Sequence, residues 1–270
     1  MTCDIGARGR RRHVRFCQRL RFVFATPVLI GLCLALWPNP AAAYRPFDGT
    51  DAAVADPNEV EIEFQPLGAL RQGTERSLIA PATVLNIGFE NRWEAVFEGK
   101  GLIPQSPSGP FELADPAFSL KHVLRPGALQ DQAGPSIATE FGVLLPEANG
   151  ARGVGASLAG IVSQRWDWGT IHVNVAASLT REHNGALFTG LIIEGPSKWT
   201  VRPVAEVFFE ETNRSHTISG LLGLIWQVRD NLSFDVAVRH ALTDGRPVDE
   251  IRMGTTVGFS LAPMMAAHRP

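Results

Sequence analysis

The stretch Gly169-Thr-Ile-His-Val-Asn-Val-Ala-Ala-Ser-Leu-Thr-Arg-Glu182 alternates apolar and polar residues along most of its length. Ile171, Val173, Val175, Ala177 and Leu179 fall on one face, and His172, Asn174, Ala176, Ser178 and Thr180 on the other. A period of two marks a β-strand with chemically different faces, because successive side chains point to opposite sides of the pleat. The stretch is longer than the roughly five or six residues usual in soluble sheets and fits the roughly 9–11 that a tilted strand needs to cross a bilayer.

The pattern recurs on both sides of this segment. Val201, Pro203, Ala205, Val207 and Phe209 oppose Arg202, Glu206 and Glu210; Ile251, Met253, Val257, Phe259 and Leu261 oppose Glu250, Arg252, Gly254, Thr256, Gly258 and Ser260; Val60, Ile62 and Phe64 oppose Glu59, Glu61 and Glu63. Strand-like segments are expected at 59–70, 76–89, 92–102, 112–125, 135–146, 154–166, 169–182, 186–195, 200–212, 215–229, 232–243 and 248–261, an even set of 12. Segments 112–125 and 186–195 alternate poorly, so a count of 10 also fits. Tight connections at Glu90-Asn91, Asp167-Trp168 and Asp230-Asn231 are read as alternating with longer ones at Pro104–Pro110, Gly127–Gly134 and Thr243–Pro247. Trp93, Trp166, Trp168, Trp199 and Trp226 fall near strand ends, where an aromatic girdle lies. These features predict an all-β fold, an antiparallel up-and-down transmembrane β-barrel over 59–261.

The chain opens with seven arginines between Arg8 and Arg21, then the 16-residue apolar run Phe22–Trp37, then Pro38, Pro40 and Ala41-Ala42-Ala43. Cationic, apolar and small-residue segments in that order are expected to be a signal peptide over 1–43, cleaved after Ala43. Residues 44–58 read as a flexible periplasmic lead-in, and 262–270 as a C-terminal tail. Cys3, Cys17 and Cys33 all lie in the leader, leaving the mature part no disulfide and no cysteine metal site. Removing the leader takes seven of 25 basic residues and one of 27 acids, so residues 44–270 carry 18 against 26, a charge of −8. That balance argues against a nucleic-acid partner, which calls for a basic face.

Three stretches carry a family resemblance: Tyr44-Arg-Pro-Phe-Asp-Gly-Thr-Asp-Ala-Ala-Val-Ala-Asp-Pro-Asn-Glu-Val-Glu-Ile-Glu-Phe64, Gly134-Pro-Ser-Ile-Ala-Thr-Glu-Phe-Gly-Val-Leu-Leu-Pro146 and Ile225-Trp-Gln-Val-Arg-Asp-Asn-Leu-Ser-Phe-Asp-Val-Ala-Val-Arg-His240. They resemble the bacterial outer-membrane family labelled as MetA-pathway phenol-degradation or transporter-like proteins. The resemblance implies an outer-membrane barrel passing small compounds, aromatic ones included, and supplies no site residues. It also implies a closing aromatic that the barrel-assembly machinery reads; here Phe259 is followed by Ser260–Pro270, a departure from that pattern.

No catalytic, cofactor or metal motif stands out. Gly153-Val-Gly155 lacks the third glycine of a dinucleotide loop, and the six histidines from His122 onward show no i, i+4 pair. A rim hydrolase built on His183 with Glu182, or His240 with Ser233 and Asp235, is the weakest reading. The informative constellation is the charged face, expected to line the lumen: Glu61, Glu63, Glu94, Glu98, Glu140, Arg202, Glu206, Arg229, Asp235, Arg239 and Arg252. If first and last strands meet on closure, Glu61 and Glu63 are expected within reach of Arg252 and Arg239. The expected function is a passive outer-membrane channel for small solutes, with lipid around it. Its rivals are a side-chain-plugged structural barrel and a soluble periplasmic ligand-binding barrel.

Overall fold

A computed structural model of the chain describes residues 45–261. The leader expected over 1–43 and the tail over 262–270 lie outside the described residues. Twelve strands follow in order: β1 (Glu59–Gln72), β2 (Glu75–Glu90), β3 (Trp93–Ser106), β4 (Glu112–Arg125), β5 (Ser136–Leu144), β6 (Gly155–Trp166), β7 (Gly169–Leu179), β8 (Gly185–Glu194), β9 (Val201–Thr212), β10 (His216–Arg229), β11 (Leu232–Thr243) and β12 (Arg246–Ser260). Each pairs antiparallel with its neighbours in sequence, and β1 pairs with β12, so the sheet closes. Closure leaves no edge with unpaired backbone groups, the condition for a sheet to sit in lipid.

The two faces are inverted relative to a soluble protein. Every strand exposes large apolar side chains outward, from Phe64 and Leu67 on β1 to Ile251 and Met253 on β12. Glu61, Glu63, Glu94, Lys121, His172, Asn174, Glu206 and Arg252 are buried inward. On β7 the alternation holds residue by residue: Val173 and Val175 are 43% and 48% exposed, His172 and Asn174 2% and 3%.

All five described tryptophans lie toward the rim where β1 begins and β12 ends, here the near rim. The expected alternation of short and long connections is only partial. Gly127–Gly134 belongs to the β4–β5 connection at the near rim, beside the tight turns at 91–92, 167–168 and 230–231. Thr243–Pro247 narrows to Asp244-Gly245, whose φ values of 50° and 75° make the two-residue turn that matches the twist of paired strands.

Bulges account for the weak alternation in the first third of the chain. Pairing slips between Phe64 and Leu67, between Ile79 and Ala82 and between Glu98 and Lys100. Pro66, Pro81 and Pro116 lie at or beside these slips, since a proline cannot donate to the ladder. Asp115, with φ 53°, further breaks the period in β4. β8 pairs without a slip on either side; its faces blur because the apolar Ile192 points inward, between His172 and Glu206, while Leu191 and Ile193 point outward.

Candidate functional site

The lumen is occupied by the chain itself. Residues 45–58, expected as a flexible lead-in, run along the inner wall and are held by side chains from eight strands. Beginning at the near rim, Ala55 N–H donates to Glu94 Oε2 at 2.6 Å and Ala52 N–H to Ser163 Oγ at 2.9 Å. Asn174 clasps Thr50 from both sides, accepting its N–H at 2.9 Å and donating to its carbonyl at 2.8 Å. Glu206 accepts the N–H groups of Asp48 at 2.8 Å and Gly49 at 2.7 Å. Lys121 reaches Thr50 Oγ1 at 3.0 Å and Asp51 at 3.2 Å. Arg252 donates to Pro46 O at 2.7 Å and Asp48 at 2.8 Å, and Arg45 bridges Gln65 at 2.6 Å and Asp235 at 3.3 Å. A polar segment without periodicity reads the same in sequence whether water or a polar wall satisfies its backbone; here the wall does.

Two inward glycines make room for it. A Cβ on Gly88 would stand 2.2 Å from Asp56 O, and one on Gly254 2.4 Å from Arg45 Nε. Gly88→Val should therefore expel the segment while leaving the sheet closed. The expected result is a barrel of unchanged heat-modifiable migration whose residues 45–58 become cleavable by added protease; continued protection would contradict the account.

Most of the residues expected in the lumen are there. Glu61, Glu63, Glu94, Glu206, Asp235 and Arg252 are buried in it, Glu98 and Glu140 line its cavity, and Arg239 pairs with Glu250 at 3.1 Å. Arg202 lies 3.5 Å from Glu194. Arg229 is not: it is exposed at the end of β10, where pairing slips between Gln227 and Arg229. Nor do Glu61 and Glu63 meet Arg252 and Arg239. Glu63 stands opposite Thr256, while Arg252 stands opposite Gly68, four residues and about 13 Å further along β12. Glu63 instead accepts a hydrogen bond from Asn86 at 3.0 Å, and Arg252 is drawn to Glu250 and the inner segment.

The segment leaves a cavity of about 310 Å3 between itself and strands β1–β8. Asp48, Asp51, Glu61, Glu63, Glu94, Glu98 and Glu140 line it against a single base, Lys121. One rung builds its wall: Glu94 opposes Lys121, Lys121 opposes Glu140, Glu140 opposes Ala159, Ala159 opposes Ala176 and Ala176 opposes Phe188. The space exists because β6 and β7 turn only alanines inward at that height.

The rim set of His240, Ser233 and Asp235 does not come together. His240 points outward and bonds Asp249 at 2.7 Å, whereas Ser233 and Asp235 point inward. A different Ser–His–Glu chain does form: Ser163 Oγ lies 2.8 Å from His172 Nδ1, and His172 Nε2 lies 3.1 Å from Glu194. Ser163 is wholly buried and receives the Ala52 N–H, so the chain works as a fastener for the inner segment.

No family model matches the chain, and no curated protein matches it. Solved barrels do. An outer membrane channel from Pseudomonas putida F1 superposes with a TM-score of 0.62 at 6% identity, covering 79% of this chain and 100% of that one. The NanC porin gives 0.54 at 6% identity, with 73% and 98% covered, and the KdgM porin, solved in complex with disordered oligogalacturonate, 0.51 at 10%, with 74% and 98% covered. At such identities the likeness is one of fold: this chain is a closed barrel of the kind those outer-membrane channels adopt.

Proposed function

We propose that this chain is an outer-membrane channel for small solutes, its bore set by residues 45–58 folded back into the lumen. The observation that carries the reading is the inverted barrel, apolar outward on all twelve strands and charged within. A shell of that kind is unfavourable in water and favourable in lipid, and a polar interior supports passage of polar or charged molecules. The similarity in fold to solved outer-membrane channels supports it, as does the resemblance of 44–64, 134–146 and 225–240 to the MetA-pathway family, which extends the solute class to small aromatic compounds. With the inner segment seated, the remaining space suits single small molecules and excludes polymers.

The test is fractionation followed by reconstitution. Outer-membrane enrichment, with different gel migration before and after boiling, is expected, and release into the periplasm without detergent would sink the membrane reading. In planar bilayers the purified protein should pass K+ in preference to Cl−, because carboxylates dominate the cavity wall. A reversal potential favouring Cl− would contradict the assignment of those carboxylates to the conducting path.

A second reading is favoured by the tightness with which the segment is held: a barrel that stays shut and serves as a structural element of the membrane. Bilayers that never conduct, with correctly folded protein in them, would decide for it.

A further inference from the structure

The cavity beside the inner segment has two unlike walls. On one side Glu98 and Glu140 line it, and among the described residues neither accepts a hydrogen bond nor forms an ion pair within 4 Å. Lys121, the lone base, is engaged by Thr50 and Asp51. On the other side Phe188 and Phe47 line the cavity, and between the walls lie the side chains of Ala159 and Ala176. Unpaired carboxylates hold a cation, aromatic faces attract one and bury its apolar body, and small residues leave the room. An anion meets repulsion in the same space, and a neutral solute leaves the carboxylates uncompensated.

We propose that this cavity is a binding site for a small organic cation, a protonated amine with a compact apolar or aromatic body. The ammonium sits at Glu140, on the rung of Ala159, Ala176 and Phe188, with Glu98 adding its charge from further along the same wall, and the body lies against Phe188 over Ala176. A volume of about 310 Å3 is enough for one such molecule. The inference rests on the channel reading for its biological sense, since it names the solute class of that lumen, but binding itself does not require passage.

Calorimetry on the detergent-folded barrel with benzylammonium, benzoate and benzyl alcohol tests it. Saturable binding of benzylammonium alone is expected. The Glu98→Gln/Glu140→Gln double variant should weaken it by about tenfold or more, the loss of one charge-assisted contact. Ala176→Leu, which fills the cavity without touching a charge, should abolish it, and heat-modifiable migration verifies that both variants fold. Comparable binding of benzoate, or benzylammonium affinity unchanged in Ala176→Leu, overturns the proposal. Bilayer recordings separate it from the channel reading: K+ conductance without benzylammonium binding leaves the channel standing and removes the site, whereas binding without any conductance does the reverse.

Discussion

Deleting residues 45–57 from the full chain should raise single-channel conductance several-fold and leave the barrel folded. The ladder closes strand to strand from β1 to β12 with no contribution from the segment, so closure does not depend on it. What the segment adds is bulk across the bore, anchored on Glu94, Ser163, Asn174, Glu206, Lys121 and Arg252. Removing it exposes those groups to lumen water, which solvates them at little cost, and the Arg252–Glu250–Arg239 cluster keeps its own pairing. A graded version is Glu206→Ala. Its carboxylate accepts two backbone N–H groups, and losing them should cost the seated state about 2 kcal/mol, roughly a 30-fold shift toward unseating. The record should then show more frequent openings to the conductance level of the deletion. A deletion that conducts as the intact chain does would place the constriction elsewhere.

Much of the barrel was legible in the sequence because strand parity survives where no bulge intervenes. From β6 to β9 the register runs unbroken, and on β7 and β9 the inward set read from parity is the inward set observed. Parity alone was too weak in β1–β4, where slips beside Pro66, Pro81 and Pro116 reset it. The charged lumen was likewise legible as a list of residues but not as pairs. Pairing depends on stagger, and the slip between Phe64 and Leu67 adds to the offset between β1 and β12 that separates Glu63 from Arg252. The Ser163–His172 contact, by contrast, was readable and missed. A two-residue turn at Asp167-Trp168 fixes which residues face each other across β6 and β7, and it sets Ser163 opposite His172.

The inner segment was the part least open to reading. Its composition of Asp, Gly, Thr, Ala and Pro satisfies its backbone through residues more than 100 positions away, such as Ser163, Asn174 and Glu206. No local pattern reports a partner at that separation. The clue lay in the wall: inward glycines at 88 and 254 mark places where a second backbone or a guanidinium lies against the sheet.

The assignment of faces meets its hardest test at two adjacent residues in the middle of β7. Val175 is 48% exposed on the outer face near the strand's midpoint, and an arginine there would place a charge in hydrocarbon. Val175→Arg should destabilise the assembled barrel by about 2–4 kcal/mol and appear as lost outer-membrane protein and lost heat-modifiable migration. Asn174, one position away, points inward and is 3% exposed. Judged from parity alone, an arginine at 174 should be tolerated; the structure divides that expectation in two. The barrel should still assemble, since the new charge enters a wet, acidic lumen beside Glu206 and Asp51. The clasp on Thr50 is lost with both of its hydrogen bonds, so the inner segment should loosen and residues 45–58 become open to protease. Adjacent substitutions of the same kind therefore fail in different ways, one in assembly and one in the bore. Equal assembly of both variants would mean that the assignment of inner and outer faces on β7 is wrong, and with it the lumen on which the channel reading stands.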